Sequence, residues 1–155
     1  MIIMIGIETQ LGKGINNKYI VKDINGDKVI FDDATGLMWQ QSGSPTLLGE
    51  YSKNYSSWLK KLNQKEFAGF KDWRLPTLEE AMSLIKPERK NAQYIDPVFD
   101  SKQEWIWTAD KVKDKSHQWI VSFLDGICAD DILYYDLKFG EFYVRAVRPV
   151  KSSQE

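Results

Sequence analysis

The stretch that decides the fold is DWRLPTLEEAMSLI, residues 72–85. Pro76 disfavours helical backbone at the residue before it, so we expect the chain to be extended up to that point. Thr77 then predicts a helix N-cap, and Glu80 follows at the spacing that a capping box needs. This stretch therefore predicts a sharp strand-to-helix corner.

Trp73 and Arg74 lie just before that corner. An indole ring buries a large area, and a guanidinium carries five donors in a fixed fork. We therefore predict that both side chains belong to a buried organising network. The helix after the corner is expected to run to about Lys86, because the apolar residues at positions 78, 81, 82 and 85 form one helical stripe, and to end at Pro87.

Length and composition fit one domain. The 155 residues are 43% hydrophobic and include six Trp, seven Tyr and seven Phe, which can bury a sizeable core. The formal net charge of −1 gives no strong field toward nucleic acid or an anionic membrane, so neither is expected as a partner.

Cys128 is the only cysteine, so no internal disulfide can form. A chain without disulfides suits a reducing compartment, and a cytoplasmic location is predicted. Residues 1–18 begin with an apolar run but lack a basic region, so we expect a strand or packing tail rather than a signal peptide. Residues 19–150 are predicted to form the domain, and residues 151–155 a polar tail.

The order of the predicted elements indicates an α+β fold. Short strands are expected at 19–21, 28–31, 37–40, 105–108, 117–123 and 142–148, and helices at 56–65 and 78–86. Turns and irregular chain are expected at 87–103. We therefore predict two helices packed against a small twisted antiparallel sheet with long loops.

Five blocks, taken together and in order, resemble one family. They are NGDKVIFDDATGLMWQ at 25–40, WRLPT with the following glutamates at 73–80, WIWT at 105–108, WIVSF with its glycine at 119–126, and YVRAVR at 143–148. The chain is similar to a bacterial domain of unknown function represented by the C-terminal domain of a collagen-like adhesin. This resemblance covers about 19–150 and implies a C-type-lectin-like fold.

Two departures from the family matter. Ala146 stands where the family often has a cysteine, so the disulfide that the resemblance implies is absent. The WRLPT block also resembles the formylglycine-generating, sulfatase-modifying enzymes, which work through a pair of cysteines. Cys128 alone cannot supply that pair, so no enzymatic activity is carried over and the chain is predicted not to be an enzyme.

Cys128 and His117, the only histidine, form one candidate catalytic pair. The interpretation that we favour is that Cys128 is a small hydrophobic residue near a hairpin. One histidine and one cysteine are too few to form a histidine–cysteine metal site. Calcium on Asp125, Asp130 and Asp131, with Asp110 close by, is weighed against ordinary solvated turn carboxylates, which are the default, and no cofactor is predicted.

Four tryptophans offer rings that could stack on sugars: Trp39, Trp73, Trp107 and Trp119. Each lies within a family-like block, so a structural role in the core is predicted instead. Arg145 and Arg148 fall on opposite faces of the last predicted strand and cannot form one anion clamp. We expect one of the two to anchor the core network with Trp73 or an acidic residue, and we assign Arg145 a structural role.

The candidate binding residues lie in the segments that resemble the family least. They are Lys111, Lys113, Asp130, Asp131, Tyr134 and Tyr135. Loops that mix tyrosine with both charges suit a protein-binding surface, although ordinary solvated loop is an equal alternative. We predict a non-catalytic binding module that recognises a protein partner through these late loops. Glycan or glycosaminoglycan binding, an accessory subunit of a larger complex and a cysteine-dependent enzyme are the alternatives.

Overall fold

The computed structural model describes residues 16–49, 54–113, 117–131 and 140–150. The strands in these ranges are β1 (Tyr19–Ile24), β2 (Asp27–Asp32), β3 (Leu37–Gln40), β4 (Ile85–Lys90), β5 (Gln93–Ile95), β6 (Trp105–Lys111), β7 (Gln118–Ser122), β8 (Ile127–Asp130) and β9 (Val147–Pro149). The helices are α1 (Tyr55–Gln64) and α2 (Leu78–Met82), with a 3-10 turn at Phe67–Gly69. None of the helices in the described part of the chain has the length and apolar character needed to cross a membrane.

The strands form three antiparallel sheets with the orders β1-β2-β3-β9, β4-β5 and β6-β7-β8. In the first sheet Trp39 pairs with Ile30 on one side and with Val147 on the other. In the third sheet Val121 pairs with Ile106 and with Cys128. The last strand, β9, therefore pairs with the sheet that β1, β2 and β3 form near the start of the domain.

The predicted α+β fold with two helices packed against a sheet is wrong. The described chain is mainly β, and its one substantial helix, α1, has ten residues. The second predicted helix, α2, is only five residues long, and the chain enters β4 three residues after it. The expectation of two packed helices, which the resemblance to a C-type-lectin-like fold implies, is therefore also wrong.

α2 ends early because the chain that follows it pairs with another strand. Pro87 restricts only Lys86, which lies beyond the apolar stripe, so it does not itself end the helix at Met82. The segment pairs instead with β5, through Asn91 and Ala92 at φ angles of 52° and 66°. Two residues with positive φ are typical of a type I′ hairpin turn. The chain predicted to be irregular at 87–103 therefore contains a β-hairpin.

The corner before α2 has the geometry that the sequence predicts. The Thr77 hydroxyl accepts a hydrogen bond from the Glu80 N–H, and the Glu80 carboxylate accepts one from the Thr77 N–H, completing a capping box. The same carboxylate binds the Arg74 guanidinium through two bonds of 2.7 and 2.9 Å. The guanidinium is thus tied to the cap, although 42% of the Arg74 side chain is exposed rather than buried.

Trp73 is buried, with 3% of its surface exposed. Its indole N–H donates to the carbonyl oxygen of Phe67 at 2.8 Å. The Asn63 side chain receives a bond from the Trp73 N–H at 2.8 Å and donates one to the Trp73 carbonyl at 2.9 Å. These bonds join the corner to α1, whose N-cap is Asn54 rather than one of the serines that follow it.

The core has two apolar clusters, and the β6-β7-β8 sheet lies between them. Ile106, Val121 and Cys128 belong to one cluster, and Trp107, Ile120 and Ala129 belong to the other. The register makes each trio a cross-strand row on its own face of the sheet. This sheet is therefore buried on both faces.

We predict that Thr77→Ala lowers the free energy of unfolding by about 1 kcal/mol, because the mutation removes the side-chain acceptor of the N-cap. Urea titration measures the loss. Glu79→Ala is the control, since Glu79 lies in the same helical turn but takes no part in the capping box. Equal losses for the two variants would contradict the role given to the cap.

We predict that Gly43→Ala lowers the free energy of unfolding by at least about 3 kcal/mol, because it adds overpacking to backbone strain. Gly43 has a φ of +147°, and an added Cβ would lie 2.1 Å from the Val144 carbonyl oxygen. The control is Gly36→Ala, where φ is +72° but the space around the Cβ is open. It should cost about 1 kcal/mol through strain alone, as denaturant titration would measure. A similar loss in both variants would rule out the close approach as the cause.

Candidate functional site

Polar and charged side chains gather at one end of the β6-β7-β8 sheet. Lys111 pairs with Gln118 across β6 and β7, and Trp119 pairs with Asp130 across β7 and β8. The register therefore brings the last residue of β6, the first residues of β7 and the last residue of β8 together. We call these residues the late sheet end: Lys111, His117, Gln118, Trp119, Asp130 and Asp131.

Gln118 is the buried centre of the late sheet end, with 2% of its surface exposed. Its amide nitrogen donates to the Thr108 carbonyl. Its amide oxygen accepts from the Lys111 ammonium and from the Tyr55 hydroxyl, each at 2.9 Å. One side chain thus fastens β6, β7 and α1 to one another, so the neighbouring charged groups stand on a fixed frame.

His117, Asp130 and Asp131 form a compact cluster beside that frame. The His117 Nδ1 lies 3.4 Å from Asp131 Oδ1 and 3.8 Å from Asp130 Oδ1. The three side chains are 30%, 17% and 16% exposed, in that order. One nitrogen and two carboxylate groups therefore converge on one small, half-buried space.

The surroundings raise the pKa of Asp131 to about 6. Burial is the largest cause, followed by the hydrogen bond from this carboxyl to the carboxyl of Asp130. A bond from the backbone of Gln118 and the nearby imidazole of His117 act in the opposite direction. Asp131 Oδ1 is buried and has no hydrogen-bond donor.

The predicted binding residues divide into three groups. Lys111 and Lys113 are exposed at and just after the end of β6. Asp130 and Asp131 are partly buried in the cluster with His117. Tyr134 and Tyr135 lie outside the described residues, so their part in the predicted surface stays a prediction.

The four aspartates considered for calcium do not act as one group in this structure. Asp125 lies in the turn at the other end of the β7–β8 hairpin, where its carboxylate accepts a bond of 3.0 Å from the Ser122 hydroxyl. Asp110 accepts a bond of 2.5 Å from the Leu78 N–H at the start of α2. Asp130 and Asp131 instead stand with His117.

The sequence interpretation missed the association of His117 with the two aspartates. It paired the only histidine with Cys128 and grouped the acids with Asp125. The hairpin signal alone would not have shown it. A two-residue turn at Asp125-Gly126 would pair Trp119 with Ile132, whereas the loop spans 123–126 and pairs Trp119 with Asp130, which brings His117 beside the acidic residues.

The residues predicted to be structural lie in the core or at the corner. Trp39 and Trp107 are buried, and the Trp107 indole N–H donates to the Leu48 carbonyl at 2.8 Å. Trp119 is half-buried and packs against one apolar cluster. Arg145 is fully buried and bonds backbone carbonyls such as those of Ser42 and Asp100, whereas Arg148 binds an acidic residue, Asp72, through bonds of 2.6 and 3.2 Å.

Cys128 faces the apolar cluster beside Val121 and is 5% exposed. Burial raises the pKa of its thiol, which reduces the fraction present as the nucleophilic thiolate. The imidazole of His117 lies against two carboxylates. These surroundings favour the interpretation of Cys128 as a packing residue over the catalytic pair.

We predict that Cys128 reacts with a thiol reagent at pH 7 at least about tenfold more slowly in the folded chain than in the urea-unfolded chain. Burial restricts access to the sulfur and disfavours the thiolate. The single cysteine makes the absorbance assay unambiguous, and the unfolded chain serves as the internal control. A folded chain that reacts as fast as the unfolded one would indicate an activated thiol and revive the enzyme alternative.

Comparison with known families gives one match. The sequence model of the Lcl C-terminal domain family matches residues 28–148, which is most of the chain. No curated protein and no solved structure matches significantly. The match agrees with the family resemblance of the five sequence blocks, whose reference member is the C-terminal domain of a collagen-like adhesin. The chain belongs to the Lcl C-terminal domain family.

Proposed function

We propose that this chain is a non-catalytic binding module that recognises a protein partner through the late sheet end and the loops beside it. The observation that carries the proposal is the strand register. It brings Lys111 and Asp130 to the same end of a sheet that is buried on both faces. Charged groups of both signs therefore stand on a rigid support, where loops can vary without disturbing the core.

The chemistry of the late sheet end suits a protein partner. Lys111 and Lys113 are exposed cations at the end of β6, and the half-buried carboxylates of Asp130 and Asp131 lie at the end of β8, two strands away. A surface with both charges favours a partner of complementary pattern and discriminates against partners with a single charge sign. An accessory role within a larger complex would use the same surface.

Glycan binding is less well supported by the exposure of the aromatic rings. Trp39, Trp73 and Trp107 are at most 3% exposed, so their faces are not open to a sugar. Trp119 is half-buried. The net charge of −1 also disfavours a strongly sulfated glycosaminoglycan. Because one cysteine suits a reducing compartment, we propose that the partner is cytoplasmic.

We predict that the immobilised chain retains a specific protein from the cytoplasmic fraction of its native cells. The triple variant with Lys113→Glu, Tyr134→Ala and Tyr135→Ala should reduce that capture at least about tenfold, because it reverses an exposed charge and removes two aromatic side chains of the predicted binding segment. Quantitative mass spectrometry of the retained proteins measures the change.

Lys60→Glu is the matched control, because it makes the same charge change on the exposed side of α1. The control should capture the partner as the parent does, and all variants should melt like the parent. Full capture by the folded triple variant would show that the binding surface lies elsewhere. Loss of capture after glycosidase treatment of the cell fraction would show that the chain binds a glycan instead of a protein.

A further inference from the structure

We propose that His117, Asp130 and Asp131 form a binding site for one divalent cation of the zinc class. This site goes beyond the proposed partner binding and does not depend on it. One ligand atom from each residue can be chosen so that all three lie within 4.8 Å of one another. Ligand atoms in a tetrahedral zinc site, with bonds of 2.0–2.1 Å, stand about 3.3 Å apart. The separation of 3.4 Å between His117 Nδ1 and Asp131 Oδ1 is close to that spacing, and the 3.8 Å to Asp130 Oδ1 requires only a small closure.

The strand register holds the three ligands in place before any ion arrives. Asp130 is the last residue of β8 and pairs with Trp119, two residues after His117. Between them, Gln118 is bonded to β6 and to α1. A site whose ligands are already assembled loses little conformational entropy on binding an ion.

The Lys111 ammonium binds the amide oxygen of Gln118, on the side of the sheet that Tyr55 covers. Successive residues of a strand point to opposite faces. The row that contains Trp119 and Asp130 therefore lies on the other face from the row that contains Lys111 and Gln118.

A second observation favours a cation at this position. Asp131 Oδ1 is buried and has no hydrogen-bond donor, although it faces His117. Burial of a carboxylate oxygen without a partner is unfavourable. The Asp130 carboxyl next to it adds a second group of the same charge when both are ionised. A bound cation would satisfy the orphaned oxygen and offset the repulsion.

The donor set selects the class of ion. An imidazole nitrogen with carboxylate oxygens suits zinc and related transition metals. Calcium prefers six to eight oxygen ligands, which a cluster with one nitrogen and two carboxylates does not supply. Three protein ligands would leave a coordination position for water or for a group from a partner.

The test is calorimetric titration of the full chain, stripped of metal with a chelator, against Zn²⁺ at pH 7.5. We expect one site per chain. His117→Ala and Asp131→Asn should each weaken binding at least about tenfold, since even groups that only orient metal ligands contribute that much. Asp125→Asn is the matched control, because it removes a carboxylate at the other end of the same hairpin. It should bind as the parent does, and a hundredfold excess of Ca²⁺ should not displace the zinc.

The single histidine gives a second readout. Long-range ¹H–¹⁵N spectra of the His117 ring should show zinc on Nδ1 and the proton on Nε2. Asp131→Asn keeps the side-chain shape, so it decides the question if His117→Ala does not fold. Absence of stoichiometric binding, equal weakening in Asp125→Asn, or unchanged binding in the folded Asp131→Asn variant would overturn the proposal. The Lys113, Tyr134 and Tyr135 variant should keep zinc binding, so failure of the partner proposal remains distinguishable.

Discussion

The burial of the Arg145 guanidinium constrains much of this fold. Its Nε and Nη2 donate to the carbonyl oxygens of Ser42 and Asp100, each at 2.8 Å, and the rings of Phe99 and Phe123 lie 5.0 and 5.9 Å from its centre. Burial lowers the pKa of Arg145 to about 9, so the group remains charged at neutral pH. A buried cation is unfavourable unless dipoles and aromatic faces replace its water. The loops on both sides must therefore keep their carbonyl oxygens directed at this one side chain.

Arg145 lies within a segment, residues 142–149, that joins the separate parts of the fold. The segment makes β-bridges or strand pairs with Leu48, with Ile106 in β6, with Arg74 at the corner and with β3. It also passes so close to the loop before α1 that Gly43 has no room for a side chain. Because the segment meets so many partners, most of its backbone hydrogen bonds belong to isolated β-bridges. Only its last three residues form a regular strand. Local sequence periodicity cannot report such a role, since it depends on partners distant in the chain.

Sequence reasoning succeeded where the structure is governed by local chemistry. The first three strands and the Thr77 cap follow from turn residues, capping residues and alternation. It failed for the second helix because the apolar stripe from 78 to 85 fits a helix, while Ile85 pairs with Ile95 of β5 as part of a strand. The β4–β5 turn was missed because Ala92 at positive φ carries no glycine signal. The pairing of β4 with β5 thus outweighed the helical preference of the short apolar pattern.

The candidate site was predictable only in part for the same reason. Lys111, Asp130 and Asp131 could be selected because they stand in the segments least like the family, but their grouping depends on the register of three strands. A sheet that is buried on both faces has no polar surface except at its ends. Gln118 bonds Tyr55 and Lys111 there, so part of this polar group is satisfied within the chain. The burial that stabilises this sheet therefore also concentrates its charged side chains at its ends.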